Sequence, residues 1–260
     1  MWEHPDRERR RTTFGSVGEL YDRARPEYAA EVFDDIAELA GLEPGARVLE
    51  IGPGTGKATV GLVARGYDVT AVELSPELAA IVRRNAPAAA VEVADFDEWE
   101  PAAAEFDAVV AFASFHWIAP AVRCAKPARL LRPGGSLCVV AAPHVLPAGG
   151  DPFWTEVQAD YDAVIPDPGN RPPLTPAEVE GREPELRASG LFRTVVERRH
   201  LQALEYTADS YIAVLGTYSN NIALRPDQRE ELFRRIHRRI ESAGGHVTKH
   251  QLVTLTVGTT

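Results

Sequence analysis

The chain has 260 residues, with 28 Lys and Arg against 38 Asp and Glu, a formal net charge of −10 and a pI near 5.3. That acidic balance argues against a duplex nucleic-acid partner or an anionic membrane surface, both of which select basic faces. Hydrophobic residues make up 45%, enough for the core of one large domain, or of one domain with a sizeable insertion.

Two cysteines, Cys124 and Cys138, are too few for a disulfide framework and lack metal-ligand spacing; they read as buried thiols in a reducing cytoplasm. The chain starts charged and polar, unlike a signal peptide, and no apolar run approaches the ~20 residues of a membrane span, so the expected location is the cytoplasm. Arg7–Arg11 reads as a solvated, frayed end. The leader from Phe14 to Tyr28 combines aromatics with arginine (Tyr21, Arg25-Pro26, Tyr28), which suits a flap rather than a scaffold; Tyr28 serves equally well packed on the sheet edge. Glu31 to Leu42 then places Val32, Ile36, Leu39 and Ala40 on one helical face.

Arg47 to Ile51 carries Val48, Leu49 and Ile51, a short strand buried on both faces. Gly52, Gly54 and Gly56 follow at alternate positions, where glycine permits positive φ and leaves no Cβ between backbone and ligand. A helix starts near Thr55, with Val60, Val63 and Ala64 expected inward. Strand, glycine turn and helix form the ligand-holding first unit of a doubly wound sheet. A dinucleotide fingerprint would need G-x-G-x-x-G, whereas here the third glycine comes one position early and Lys57 stands in its place. Glu50, two residues before the first glycine, would repel a pyrophosphate and suits a ligand bearing an ammonium group.

The pattern Glu50-x-Gly52-x-Gly54-x-Gly56 resembles motif I of the class I S-adenosylmethionine (SAM) dependent methyltransferases. The resemblance implies an α/β fold: a Rossmann-like, seven-stranded doubly wound sheet with a mainly helical cap inserted after strand five and between the last two strands. It implies SAM as cofactor, leaving as S-adenosylhomocysteine, with contacts at Glu50, Gly52, Pro53, Gly54 and Gly56. By the same resemblance the leader folds over the cofactor, Tyr21 and Arg25 meet the methionine end, and Arg25 offers a fork for its carboxylate.

Asp68 to Leu74 is the second strand, ending in Glu73 seventeen positions beyond Gly56, where a carboxylate can accept two hydrogen bonds from a ribose diol, with Leu74 beside it. Ser75 as N-cap and Pro76 at the first helical position start the next helix, so Glu73 also has a simple helix-dipole reading. Ala88 to Ala94 is the third strand. At its end the resemblance puts Asp95 at the adenine amino group and Phe96 against the base; without it, Asp95 is a turn former and Phe96 core. Phe106 to Phe112 is the fourth strand, followed at its carboxyl end by Ser114, His116 and Trp117. Ser114 is a candidate cofactor contact, and His116 a candidate general base or lining group. Enzymes that methylate exocyclic amines of nucleobases carry Asp/Asn-Pro-Pro-aromatic here, which this chain lacks. Ala119 to Leu131 reads as a helix, and Pro133-Gly134-Gly135 leads into a fifth strand from Ser136 to Ala142.

From Pro143 the alternation stops and prolines, including Pro147, Pro152, Pro166, Pro168, Pro172 and Pro173, punctuate an expected cap. Helices are expected over Pro152–Val164 and Ala177–Ser189 with Gly190 as stop, then a strand from Phe192 to Leu204. In Thr207–Leu224, Tyr211 and Tyr218 fall seven apart on one helical face, and Ser219 and Asn220 beside Tyr218 suit a pocket. Asp227–Glu241 is amphipathic, with Leu232, Phe233, Ile236 and Ile240 inward, and His246–Val257 is the last strand. His246 and His250 lack a third ligand, so no metal site is expected. The chain thus divides into a flap and helix (1–45), a SAM-binding core (46–142), and a cap with the last two strands (143–260).

The likeness is strongest to bacterial small-molecule methyltransferases of the trans-aconitate methyltransferase-like, type 11 branch. It implies methyl transfer to an O, S, N or C nucleophile of a small natural product or metabolite, with no nucleic-acid or membrane partner. His116 is the best-placed base, and His116, Trp117, Tyr218 and Asn220 are the acceptor candidates. Protein or RNA methylation, and SAM binding without catalysis, stay open. An NAD-dependent oxidoreductase is the fallback if Glu50 is buried and unconnected with ligand.

Overall fold

The computed structural model describes residues 17–101, 105–165 and 171–260. The Arg7–Arg11 end, the Phe14 start of the leader, and Pro166 and Pro168 of the cap lie outside the described residues.

In chain order the elements are α1 (Gly18–Ala24), α2 (Ala30–Ala40), β1 (Arg47–Ile51), α3 (Lys57–Ala64), β2 (Asp68–Glu73), α4 (Pro76–Asn85), β3 (Ala90–Val93), β4 (Phe106–Phe112) and a single 3₁₀ turn (Phe115–Trp117). Then come α5 (Ala125–Leu130), β5 (Leu131–Ala141), β6 (His144–Val145), α6 (Phe153–Glu156), α7 (Gln158–Val164), a 3₁₀ turn (Pro176–Glu178), α8 (Glu183–Ala188), β7 (Thr194–Thr207), α9 (Ala208–Leu215), α10 (Ser219–Ile222), α11 (Pro226–Ser242) and β8 (His246–Thr259). The sheet order is β3-β2-β1-β4-β5-β8-β6, with β7 on the other edge of β8. β1 to β5 are parallel, while β8 runs antiparallel to β5, β6 and β7. This is the expected doubly wound sheet, with β6 as an eighth strand. The cause is length: β8 pairs with β7 over its whole span but with β5 only from Thr254 to Thr259, and His144–Val145 pairs part of the remaining edge.

Side-chain alternation along the strands builds two cores. Leu49, Ile51, Val109, Leu137 and Val139 face one side, against Phe96, Trp99, Phe115 and Leu186. Val48, Val69, Val110, Cys138 and Val140 face the other, against Val32, Phe33, Ile36 and Leu62. Both cysteines are buried and free. A third cluster forms the cap, where Trp154, Tyr211 and Leu215 pack on Leu232, Ile236 and Ile240 of α11 and on Val247 of β8.

Several expected details change. On α3 the inward residues are Ala58, Thr59 and Leu62, and Val60 is exposed, because the helix starts at Lys57 and its phase is set there. The helix expected over Ala119–Leu131 is regular only from Ala125, and that expected over Ala177–Ser189 only from Glu183, after the separate capped turn at Pro176–Glu178. α9 ends before Gly216, so Tyr211 and Tyr218 do not share a helical face. Tyr218 instead stands at the N-cap of α10, a helix of one turn.

Candidate functional site

β1 pairs with β2 on one side and β4 on the other, so the crevice where the winding reverses opens at the carboxyl ends of these strands. The three-glycine turn occupies that point, with φ of 63° at Gly52, 62° at Gly54 and 88° at Gly56. The glycines serve different needs. A Cβ on Gly52 would lie 2.9 Å from Ser114 Cβ, and one on Gly56 would lie 3.3 Å from Val82 Cγ1, so these two admit neighbouring chain. A Cβ on Gly54 would meet nothing within 4 Å, leaving this peptide open to a ligand. Ser114 closes the other side by donating its hydroxyl to the Ile51 carbonyl. Pro53 is buried within the turn, and Thr55 is 1% exposed with its hydroxyl lacking a hydrogen-bond partner.

Two carboxylates lie under and beside the turn. Glu50 has no exposed surface; Thr59 donates its hydroxyl to Oε2 at 2.7 Å, and Oε1 has no partner. Burial pushes the Glu50 carboxyl up to about 7, opposed by the Thr59 bond and assisted by the charge of Glu73. Glu73 accepts from the Gly54 N–H at 3.0 Å on Oε2 and from the Ser75 N–H at 2.9 Å on Oε1. Burial raises its pKa while those backbone donors hold it down. Each Glu73 oxygen keeps acceptor capacity beyond its backbone bond. Leu74 is half-buried next to it. Asp95 folds its own turn, accepting from the Asp97 N–H at 3.0 Å. Phe96 is 6% exposed and belongs to the core, its ring stacked at 6.3 Å on Trp99, with Lys126 Nζ 5.2 Å from its centroid.

The leader crosses this face. Asn85 on α4 donates to Asp22 Oδ1 at 3.1 Å and to the Thr55 carbonyl at 2.9 Å, and Lys57 pairs with Glu27 at 2.5 Å, which ties the leader to the glycine turn. The Arg25 guanidinium is 5.0 Å from the Tyr21 ring and 4.3 Å from the Tyr218 ring, and its Nε donates to Thr217 Oγ1 at 2.7 Å. The leader thus meets the glycine turn through Asp22 and Glu27 and the cap through Arg25. Tyr28 packs against Phe112 at 4.9 Å, at the carboxyl end of the interior strand β4 rather than on a sheet edge.

At the end of β4 the His116 ring lies 4.6 Å from Trp117. Burial, with the positive charges of Arg182 and Arg123, lowers the His116 pKa to about 4, so the imidazole is neutral near pH 7. Tyr218 lies in another cluster, with Arg25 and Lys249, where the Lys249 Nζ contacts its hydroxyl at 2.5 Å. Asn220 corrects an expectation. It is exposed, while Asn221 turns inward, 2% exposed, and donates to the Leu215 carbonyl at 2.9 Å. A short helix capped at Tyr218 rotates about 100° per residue, which separates the two. Lys249, His144 and Asn85 are not marked by the sequence, because a lone Lys, His or Asn in a strand or helix end carries no spacing signal. Among the described residues no group of three or more His, Cys, Asp or Glu is placed to hold a metal, and no helix is long and apolar enough to cross a membrane.

A methyltransferase domain family matches residues 48–135, the stretch from β1 to the Gly134-Gly135 turn. An uncharacterised methyltransferase of Mycobacterium tuberculosis is 38% identical over 128 residues, 49% of this chain and 51% of its own length. A demethylmenaquinone methyltransferase of Beutenbergia cavernae is 34% identical over 125 residues, 48% and 49% of the two chains. The chain thus spans about half the length of the curated relatives it matches. A solved protein from Anaeromyxobacter dehalogenans, described as a type II methyltransferase, superposes with a TM-score of 0.62 at 21% identity, covering 90% of this chain and 97% of that one. The Haemonchus contortus phosphoethanolamine N-methyltransferase 2, solved with phosphomonomethylethanolamine and S-adenosylhomocysteine, gives 0.53 at 16% identity over 96% of this chain and 58% of that one. At these identities the solved structures bear on the fold alone. Residues 48–135 thus match a methyltransferase domain family, and the chain as a whole shares the fold of solved methyltransferases.

Proposed function

We propose that the chain transfers the methyl group of SAM to a nucleophile of a small molecule held under its cap. The observation that supports this best is Glu73. Its carboxylate is clamped by the backbone of the glycine turn and of the α4 N-terminus, and it accepts from Gly54, whose Cβ side, unlike those of Gly52 and Gly56, is open. A ribose diol fits that acceptor, and no phosphate is needed. The unpartnered Glu50 Oε1 beneath the turn suits the ammonium of the methionine end, directly or through water; Glu50 is buried, so the NAD fallback turns on whether that oxygen meets the ligand. SAM supplies a methyl group on positive sulfur, so the departing group is neutral and no acid is required.

The chain's own task is alignment: acceptor and methyl carbon must meet in line at ~3–3.5 Å, and positioning alone lowers the barrier by several kcal/mol. Tyr21 and Arg25 cover the methionine end, Asp95 reaches the adenine amino group, and His116, neutral at physiological pH, takes a proton from an alcohol or thiol acceptor. Trp117 and Tyr218 line the acceptor space. A small acceptor agrees with the aromatic cap over the site and with the net charge of −10, which disfavours RNA. Calorimetry of the purified protein with SAM, S-adenosylhomocysteine and NAD tests the assignment. Binding of the first two and not the third is expected; NAD binding alone would overturn it.

A further inference from the structure

Because β5 accompanies β8 only from Thr254 onward, the first half of β8 projects past the carboxyl edge of the parallel strands and into the cap. On this overhang Val247 and Lys249 alternate onto one face, and Val247 packs there with Trp154, Tyr211 and Leu215. Lys249 is only 2% exposed. An ammonium taken this far from water is strongly disfavoured unless negative charge meets it. Among the described residues no Asp or Glu pairs with Lys249. Its polar contact is the Tyr218 hydroxyl at 2.5 Å. Arg25, on the Tyr218 ring at 4.3 Å, also pairs with no carboxylate among the described residues; its hydrogen bonds go to the Thr217 hydroxyl and carbonyl.

A fourth group completes the wall. His144 lies opposite Gln251 in the β6–β8 ladder, hence on the Lys249 face, and its ring meets Trp154 at 4.1 Å. Its Nε2 is buried without a hydrogen-bond partner. Burial, with the nearby Lys249 and His250, lowers its pKa to about 3, so it is neutral and adds no further positive charge. Leader, β6, cap and last strand therefore converge on two cations, a hydroxyl and an open imidazole nitrogen. Such a set is complementary to an anion.

We propose that Lys249, the Tyr218 hydroxyl and His144 Nε2 form a subsite for a carboxylate on the acceptor, with Arg25 as the boundary towards the cofactor, so that the molecule methylated is a small acid. The inference rests on the methyltransferase reading. The carboxylate could instead be the methionine end of SAM, and the two sources are separable. Protein saturated with S-adenosylhomocysteine is titrated calorimetrically with benzoate and with benzamide, which has the same ring without the charge. Benzoate is expected to bind at least tenfold more tightly than benzamide. That preference should vanish in Lys249→Met and persist in Lys249→Arg, with S-adenosylhomocysteine affinity within twofold of the parent in both. Equal binding of the two probes, or a preference retained in Lys249→Met, overturns the proposal. Loss of S-adenosylhomocysteine affinity in Lys249→Met assigns the cluster to the cofactor and likewise overturns it. Should Lys249→Met fail to fold, Tyr218→Phe is read the same way. A parent protein that binds no S-adenosylhomocysteine would instead sink the methyltransferase reading itself.

Discussion

The two halves of the ligand face are held by opposite means. At the glycine turn the backbone does the holding: three glycines at positive φ and two peptide N–H groups that orient Glu73. At the Tyr218 cluster under the cap it is long side chains, with Arg25 reaching Thr217 across 192 residues and Lys249 reaching Tyr218 across 31. Backbone-built sites demand particular residues at fixed local spacing. A side-chain site demands only that distant residues meet, and tolerates many solutions.

That difference can be broken at Gly52. Valine there would take a left-handed backbone and put its Cβ 2.9 Å from that of Ser114, so strain and overpacking together should lower stability by about 2–5 kcal/mol. Gly54→Ala carries the left-handed strain without the clash, about 1–2 kcal/mol, yet it closes the open side of the turn. Urea denaturation and S-adenosylhomocysteine titration of both variants should therefore diverge: Gly52→Val fails mainly in stability, Gly54→Ala mainly in binding. Equal behaviour would remove the distinction between a packing glycine and a ligand glycine.

His116 tests whether the acceptor half does chemistry. His116→Ala should reduce turnover by roughly 10²-fold while leaving SAM affinity within about twofold. In the parent enzyme the acid limb of the pH–rate profile should fall near 4 rather than 6.5, because burial keeps the ring neutral. Unchanged turnover would remove His116 from the chemistry. Glu73→Ala comes next in size: it should weaken S-adenosylhomocysteine by on the order of 1–3 kcal/mol, since the ribose loses its acceptor. Full affinity in that variant would displace the ribose from Glu73.

Legibility in the sequence followed the same division. β1, the glycine turn, β2 and the Ser75 cap could be read because each has a local cause: an apolar run, positive φ, an N-cap hydroxyl. β6 could not, since two residues have no periodicity; they pair only because β8 overhangs β5. The sequence does not show that the helix stops at Leu215, which breaks the Tyr211–Tyr218 face, nor that a one-turn helix sets the phase of Asn220 afresh. Phe96 carries two readings that sequence cannot separate, and its side chain packs in the core.

Glu50 sharpens the comparison last, since its charge can be removed while its shape is kept. Folding raises its carboxyl from an ordinary 4.5 to about 7, so the folded protein holds this proton more tightly than the unfolded chain. The stabilisation is complete below about 4.5 and is lost as pH rises towards 7, a difference on the order of 3 kcal/mol. Glu50→Gln cannot ionise, so its stability should lose this slope and exceed that of the parent at pH 8. An ammonium arriving above the turn would favour the ionised carboxylate, so cofactor binding near pH 7 should release a fraction of a proton. Calorimetry in buffers of different ionisation enthalpy detects that release, which should disappear in Glu50→Gln along with part of the affinity. A variant that is steadier at pH 8 and binds as tightly as the parent would leave Glu50 a buried acid with no share in the ligand.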